Sequence, residues 1–184
     1  MNIQAPKKMT VDEYLVWAEG HPGRYELIYG TVRPMSPERV GHGKFKGQAF
    51  IALKTAIKQS GTECFAMPDG STVRVSEDAA FEPDALIYLS PLADPDAIEI
   101  ANPIIVVEVS SPSTHKYDTG FKLQGYMNLP SIHHILLING TSKSILHYQR
   151  TSASVFKGTT VSDGILRLDP PGLEIPVADF FDVD

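Results

Sequence analysis

The chain has 184 residues, 42% of them hydrophobic, with a formal net charge of −6 and a single cysteine, Cys64. That length supports one hydrophobic core without staples, and a lone cysteine excludes an intramolecular disulfide. The acidic balance argues against indiscriminate binding to polyanions, because that affinity comes from displacing counterions with Lys and Arg. The apolar runs are too short to cross a bilayer, and the first eight residues, Met-Asn-Ile-Gln-Ala-Pro-Lys-Lys, lack the apolar core of a secretory signal. A soluble, cytoplasmic protein with one domain over 1–184 is therefore expected.

Residues 1–9 read as a loose arm. Thr10, followed three residues later by Glu13, has the spacing of a capping box and predicts a helix to about Ala18, with Tyr14, Leu15 and Trp17 on its buried face. Glycines and a proline at 20–23 end it. The strand-like run 25–29, Gly30 and the run 31–35 then predict a hairpin or bent strand. Glu26 alternates with Tyr25 and Leu27, so the pattern allows either a solvent-facing residue or a site residue. An amphipathic helix is predicted over 40–59, stopped by Ser60 and Gly61, with Phe45, Ala49, Ala52, Leu53, Ala56 and Ile57 toward the core. Lys44, Lys54 and Lys58 fall on the other side, as a solvated face or a phosphate-contacting one. His42, near the start of that helix, is either exposed or able to reach a ligand.

Strands are predicted over 63–67, 71–75 and 83–89, with a turn at Pro68, Asp69 and Gly70. Asp84 sits at the mouth of the third, where it is a turn residue or part of a site. After an acidic loop at 90–102 comes the β-branched run 104–109, the pattern of a strand buried on both faces. Glu108 interrupts that run. An ionised carboxylate in an apolar layer is costly unless it is paired, hydrogen-bonded or metal-bound. Residues 110–114 supply a turn and an N-cap, and a helix is predicted over 115–128, ending before Pro130. Asp118, Lys122 and Tyr126 share one face of it. A salt bridge between the first two would contribute only about 0.3–0.5 kcal/mol on an exposed helix. Position makes them more interesting, because this helix directly follows the Glu108 strand and its first turns can return over that strand's end. The tail is β-rich, with strand patterns at 133–138, 144–148, near 155–156 and near 165–168. His133 and His134 would point to opposite faces and cannot hold one ion together.

Asp84, Glu108 and Lys122 thus form a candidate cluster of two carboxylates and one amine. Two oxygen ligands and a strand carbonyl suit a hard cation such as Mg²⁺. At this point the sequence resembles the PD-(D/E)XK nuclease superfamily, through Pro83-Asp84 followed by Glu108-Val109-Ser110. It is more similar still to one bacterial branch, the Uma-type restriction endonuclease family, over about residues 10–150. The carriers are Arg24-Tyr25-Glu26-Leu27-Ile28-Tyr29-Gly30, His42 at a helix start, Pro83-Asp84, the run from Glu108 to Thr114, and Asp118 with Lys122 and Tyr126. Ser110 stands where the superfamily pattern places its lysine, and the resemblance implies that Lys122 compensates from the next helix.

The resemblance implies a restriction-endonuclease-like α/β fold: a mixed central sheet flanked by helices, with a β-rich C-terminal extension. It also implies a Mg²⁺- or Mn²⁺-dependent endonuclease acting on nucleic acid, DNA being the expected polymer, and a homodimer. Asp84, Glu108 and the Val109 carbonyl would hold the metal. Lys122 would orient water or stabilise the transition state, Glu26 would join the catalytic set, and His42 and Tyr126 would contact substrate. Two other classes fit parts of the pattern. A non-catalytic module that keeps the fold and binds nucleic acid or a protein would explain the acidity and the displaced lysine. A glycosidase using Asp84 and Glu108 leaves Lys122 without a role.

Overall fold

The structure is a computed structural model that describes residues 8–89, 91, 94, 96–110 and 118–183, with backbone alone at 118 and 119. Residues 1–7 of the expected arm at 1–9, the turn and N-cap at 111–114 and the predicted helix start at 115–117 lie outside the described residues, as does the side chain of Asp118; Met9 donates its N–H to the Gly30 carbonyl at 2.9 Å.

Helix α1 spans Val11–Glu19 and opens on the capping box, with Glu13 N–H donating to Thr10 Oγ1 and Thr10 N–H donating to Glu13 Oε2. Strands β1 (Tyr25–Ile28) and β2 (Thr31–Pro34) form the antiparallel hairpin. Its two turn residues, Tyr29 and Gly30, have φ of 46° and 79°, the handedness a tight two-residue hairpin requires. Helix α2 runs over Val40–Ser60 and ends at Gly61 in the left-handed conformation. Four strands follow: β3 (Phe65–Pro68), β4 (Val73–Ser76), β5 (Ala79–Phe81) and β6 (Ala85–Tyr88). Of these, β5 is too short to show in the sequence pattern. Strand β7 (Pro103–Ser110) leads to helix α3 (Asp118–Asn128), then to β8 (His134–Asn139), β9 (Ser144–Ser152) and β10 (Val155–Val161). A final hairpin of β11 (Ile165–Leu168) and β12 (Leu173–Pro176) leads into a 3₁₀ turn at Val177–Phe180.

The main sheet has the order β10-β9-β8-β7-β6-β3, all antiparallel except the β7–β8 pair. Only a crossover can join parallel neighbours, and α3 supplies it. A second sheet has the order β2-β1-β5-β4. This is the mixed central sheet flanked by helices. The β-rich tail divides, since β8–β10 complete the main sheet while β11–β12 stand apart as the extension.

Strand β7 is buried on both faces, and its period of two distributes the core. Ile105, Val107 and Val109 point toward α2 and the β11–β12 hairpin, in a cluster with Leu53, Leu136, Leu168 and Phe180. Val106 points the other way, into a cluster with Phe81, Leu86, Tyr126 and Ile135. Gly125 lets α3 lie flush on that second layer, because a Cβ there would come 2.6 Å from Phe81 Cε2. A third cluster of Val11, Tyr14, Leu27 and Ala80 fixes α1 to the second sheet. None of the helices described is long and apolar enough to cross a membrane.

Candidate active site

Glu108 follows Val106 by two residues and so faces α3, at the end of the apolar run where the sheet gives way to a cleft. Asp84 precedes β6 and substitutes for a rung of the ladder. Its backbone N–H donates to the Val107 carbonyl at 2.9 Å, and its Oδ2 accepts from Val109 N–H at 2.6 Å. The two carboxylates and the Val109 carbonyl are thereby fixed on adjacent strands, lining one cleft of about 1020 Å³.

Two lysines reach these acids from opposite layers of the fold. Lys122 of α3 places its Nζ 2.7 Å from Glu26 Oε1 and 3.1 Å from Glu108 Oε1. Glu26 Oε1 also accepts Glu82 N–H at 2.9 Å, and Tyr126 donates its hydroxyl to Glu108 Oε1 at 2.7 Å. Lys46 of α2 meets Glu38 Oε1 at 2.8 Å and Asp69 Oδ2 and Asp84 Oδ1 at 2.9 Å each. Arg24 braces the rim, bonding Asp69 and Glu82 at 2.7 Å each. His42 lies with Nδ1 2.8 Å from Glu38 Oε1 and Nε2 2.7 Å from the Val109 carbonyl.

With this geometry in view, comparison with known proteins is informative. The model of a family described as "Uma2: Putative restriction endonuclease" matches residues 11–178. The chain belongs to the Uma2 family. Two relatives from Synechocystis sp. (strain ATCC 27184 / PCC 6803 / Kazusa) are similar along most of their length. The uncharacterized protein slr1290 is 27% identical over 146 residues, which is 78% of this chain and 75% of that protein. The uncharacterized protein sll1609 is 25% identical over 152 residues, 82% of this chain and 85% of that one. Among solved structures, "a putative nuclease belonging to DUF820" from Anabaena variabilis ATCC 29413 superposes with a TM-score of 0.70 at 17% identity, covering 94% of this chain and 97% of that one. At that identity the likeness shows the fold.

All seven residues named from the sequence line or border this one Uma2-family cleft, although not in equal roles. Asp84, just ahead of β6, and Glu108 and Val109 of β7 line it together. Glu26 is buried at 8% exposure and pairs with Lys122, so it is not the solvent-facing residue its alternation allowed. Tyr126 lines the cleft with a fully buried ring and donates its hydroxyl to Glu108. His42 grips the Val109 carbonyl and Glu38. Lys44, Lys54 and Lys58 are exposed, as a solvated face would be.

Lys46, Glu38 and Asp69 escaped the sequence reading. The signal for Lys46 was present, since it falls in phase with Ala49, Leu53 and Ala56, the apolar stripe of α2, and a lysine on a core stripe needs a partner. Asp69 carried no such signal, being an ordinary aspartate in a Pro-Asp-Gly turn.

Burial raises the Glu108 carboxyl to about 7; Lys122 opposes this, and Asp84 and Glu26 reinforce it. Burial pulls the Lys122 ammonium down, but Glu108 and Glu26 outweigh it and hold the pKa above its ordinary value. Lys46 follows the same pattern, with Asp84 the strongest of the groups that restore its charge. The network joins six carboxylates (Glu26, Glu38, Asp69, Glu82, Asp84 and Glu108) to three permanent cations, Arg24, Lys46 and Lys122. It is short of positive charge, and its donors are hard oxygens, so the residues fit a divalent cation. No group of three or more His, Cys, Asp or Glu side chains able to hold a metal ion is found among the described residues, so a ligand set here would need the Val109 carbonyl beside the two acids.

Proposed function

We propose that this chain is a Mg²⁺- or Mn²⁺-dependent endonuclease that hydrolyses phosphodiester bonds, with DNA as substrate. The observation that carries the reading is the convergence of Asp84, Glu108 and the Lys122 ammonium in one cleft, with Lys122 Nζ 3.1 Å from Glu108 Oε1. Membership of a family described as restriction endonucleases supports it. Asp84, Glu108 and the Val109 carbonyl would hold the ion. The chemistry such an ion supplies is Lewis acidity toward water and toward the scissile phosphate.

The chain's own groups do the rest. Lys122 is half-buried, charged and held by Glu26 and Glu108, so its ammonium sits preorganised beside the position where negative charge develops on the phosphoryl oxygens, and it stabilises that charge without reorganisation. Glu26 keeps the ammonium aimed into the cleft. Tyr126 fixes the Glu108 carboxylate in one rotamer, and His42 orients the carbonyl of Val109. Arg24, Arg33 and Arg39 line the same cleft and give an acidic protein local cations for the phosphate backbone.

The test is cleavage of supercoiled plasmid and of single-stranded DNA with Mg²⁺ or Mn²⁺, using wild type beside Lys122→Ala and Glu108→Ala. Metal-dependent nicking that both substitutions abolish is the expected result. Undiminished turnover in Lys122→Ala would remove the lysine from the mechanism. Folded wild-type protein that cleaves nothing would make this a nuclease-fold binding module.

A further inference from the structure

Lys46 is 7% exposed and stands at the cleft end of the buried stripe of α2, which is otherwise made of alanine and leucine. Burying an ammonium is tolerated only with close compensation, and here the compensation is complete. Its three N–H donors meet three carboxylates from three separate parts of the chain: Glu38 ahead of α2, Asp69 in the turn after β3, and Asp84 ahead of β6. These acids have been gathered around a cation, and the chain supplies that cation itself.

Asp84 is the shared member. Its Oδ2 is taken by Val109 N–H at 2.6 Å and its Oδ1 by Lys46 at 2.9 Å. A Mg²⁺ ion bound to a carboxylate oxygen sits at about 2.0–2.1 Å. An ion on Asp84 Oδ1 would then lie within van der Waals reach of the ammonium, and two positive charges would share one oxygen in a desolvated setting. The two states of Asp84 oppose each other. Lys122 is differently placed, because its shorter contact is with Glu26, which is not one of the metal-holding acids. Lys46 keeps Glu38 and Asp69 when it leaves Asp84, so the displacement costs it one bond of three.

We propose that Lys46 is a tethered counter-cation that competes with the divalent metal for Asp84. It holds the carboxylate cluster together when no metal is bound and lowers the affinity of the site for the ion. This rests on the reading of Asp84 and Glu108 as metal-holding residues.

Competition predicts a gain on mutation, which a merely structural lysine does not. Calorimetric titration of Mn²⁺ into Lys46→Met should give binding roughly tenfold or more tighter than wild type, the size of effect one neighbouring charge has on another. Thermal stability without metal should fall in the same variant. Lys44→Met, an exposed lysine on the same helix, should bind Mn²⁺ within about twofold of wild type, and Asp84→Asn should abolish binding. Unchanged or weaker Mn²⁺ binding by folded Lys46→Met, with wild-type binding that Asp84→Asn abolishes, overturns the competition and leaves the metal site standing. No Asp84-dependent Mn²⁺ binding in any variant overturns the metal site and this proposal together. Should Lys46→Met fail to fold, the pair Lys46→Gln with Asp69→Asn keeps hydrogen bonding and charge balance. The same tightening is expected of it, and its absence overturns the proposal.

Discussion

Among the described residues, buried acids, lysines and histidines fall in two regions, and the two treat charge in opposite ways. In the cleft at the end of β7, acids and ammoniums from several elements are set against one another. Lys46 and Lys122 are held charged, and the Arg24 and Lys46 side chains outweigh burial to keep Asp69 low. Between β8 and β9 lies the other pattern. His134 and His147 lie diagonally across neighbouring strands, with His134 Nδ1 2.9 Å from His147 Nε2. One proton bridges two neutral rings there. Burial, and then the neighbouring ring, pulls His134 down to about 4, and burial lowers His147 as well. The histidines are made to fit an apolar sheet by giving up charge. The lysines of the cleft keep theirs because other elements bring carboxylates to them, and a region that maintains charge against burial is where chemistry is to be sought.

The largest break in this comparison comes from taking one cation away. Lys122→Ala leaves Glu26 and Glu108 buried without their shared partner and should cost on the order of 3–5 kcal/mol at pH 8 without metal. Part of that loss should return at pH 5, where Glu108 takes up a proton. Urea denaturation at the two pH values measures both effects, and equal losses at the two would disconnect Glu108 from the defect.

Next in size is the pH response of the intact protein, where the two regions have opposite signs. The folded pKa of Glu108, about 7, lies above its ordinary 4.5, so its contribution to stability is present at low pH and is lost as pH rises through about 7. The folded pKa of His134, about 4, lies below its ordinary 6.5, so its contribution is present above 6.5 and is lost as pH falls toward 4. Glu108→Gln should flatten the alkaline limb of metal-free stability and His134→Phe the acid limb, each by up to about 3 kcal/mol. Denaturation midpoints between pH 4.5 and 8 separate them, and a His134→Phe profile that tracks wild type would exclude the histidine pair as the acid-labile element.

Smaller still is Tyr126→Phe, which removes the hydroxyl from Glu108 and should cost about 1–3 kcal/mol while raising the Glu108 pKa further. Carboxyl titration followed by NMR checks the direction. Thr10→Ala lies away from both regions and should cost about 1 kcal/mol through the lost cap alone, with the same loss at every pH where Glu13 is ionised.

What the sequence made legible was local. The capping box at Thr10, the apolar stripe of α2, the buried run of β7 and the Glu108 that interrupts it all announce themselves within a few residues. Lys122 could be placed because its helix follows β7 directly. Lys46 could have been found by asking why a lysine keeps step with Ala49 and Leu53, but its partners could not. Asp69 sits in a plain turn, and its approach to Lys46 depends on how β3 joins the edge of the main sheet. Glu26 stayed ambiguous for a related reason. A four-residue strand of alternating type does not say which face is covered, and here its cover comes from α3 on the far side of the sequence.

The parallel pairing of β7 with β8 carries a last consequence, for the order in which the cleft assembles. Glu108 and Lys122 are 14 residues apart within one crossover, so their contact closes a short loop and needs only β7 and α3 to meet. The Lys46 cluster needs α2, the turn after β3 and the start of β6 to arrive together. Lys122 and Glu108 can thus find each other within a single folding unit, whereas Asp84 receives its ammonium only once α2 has closed on the sheet.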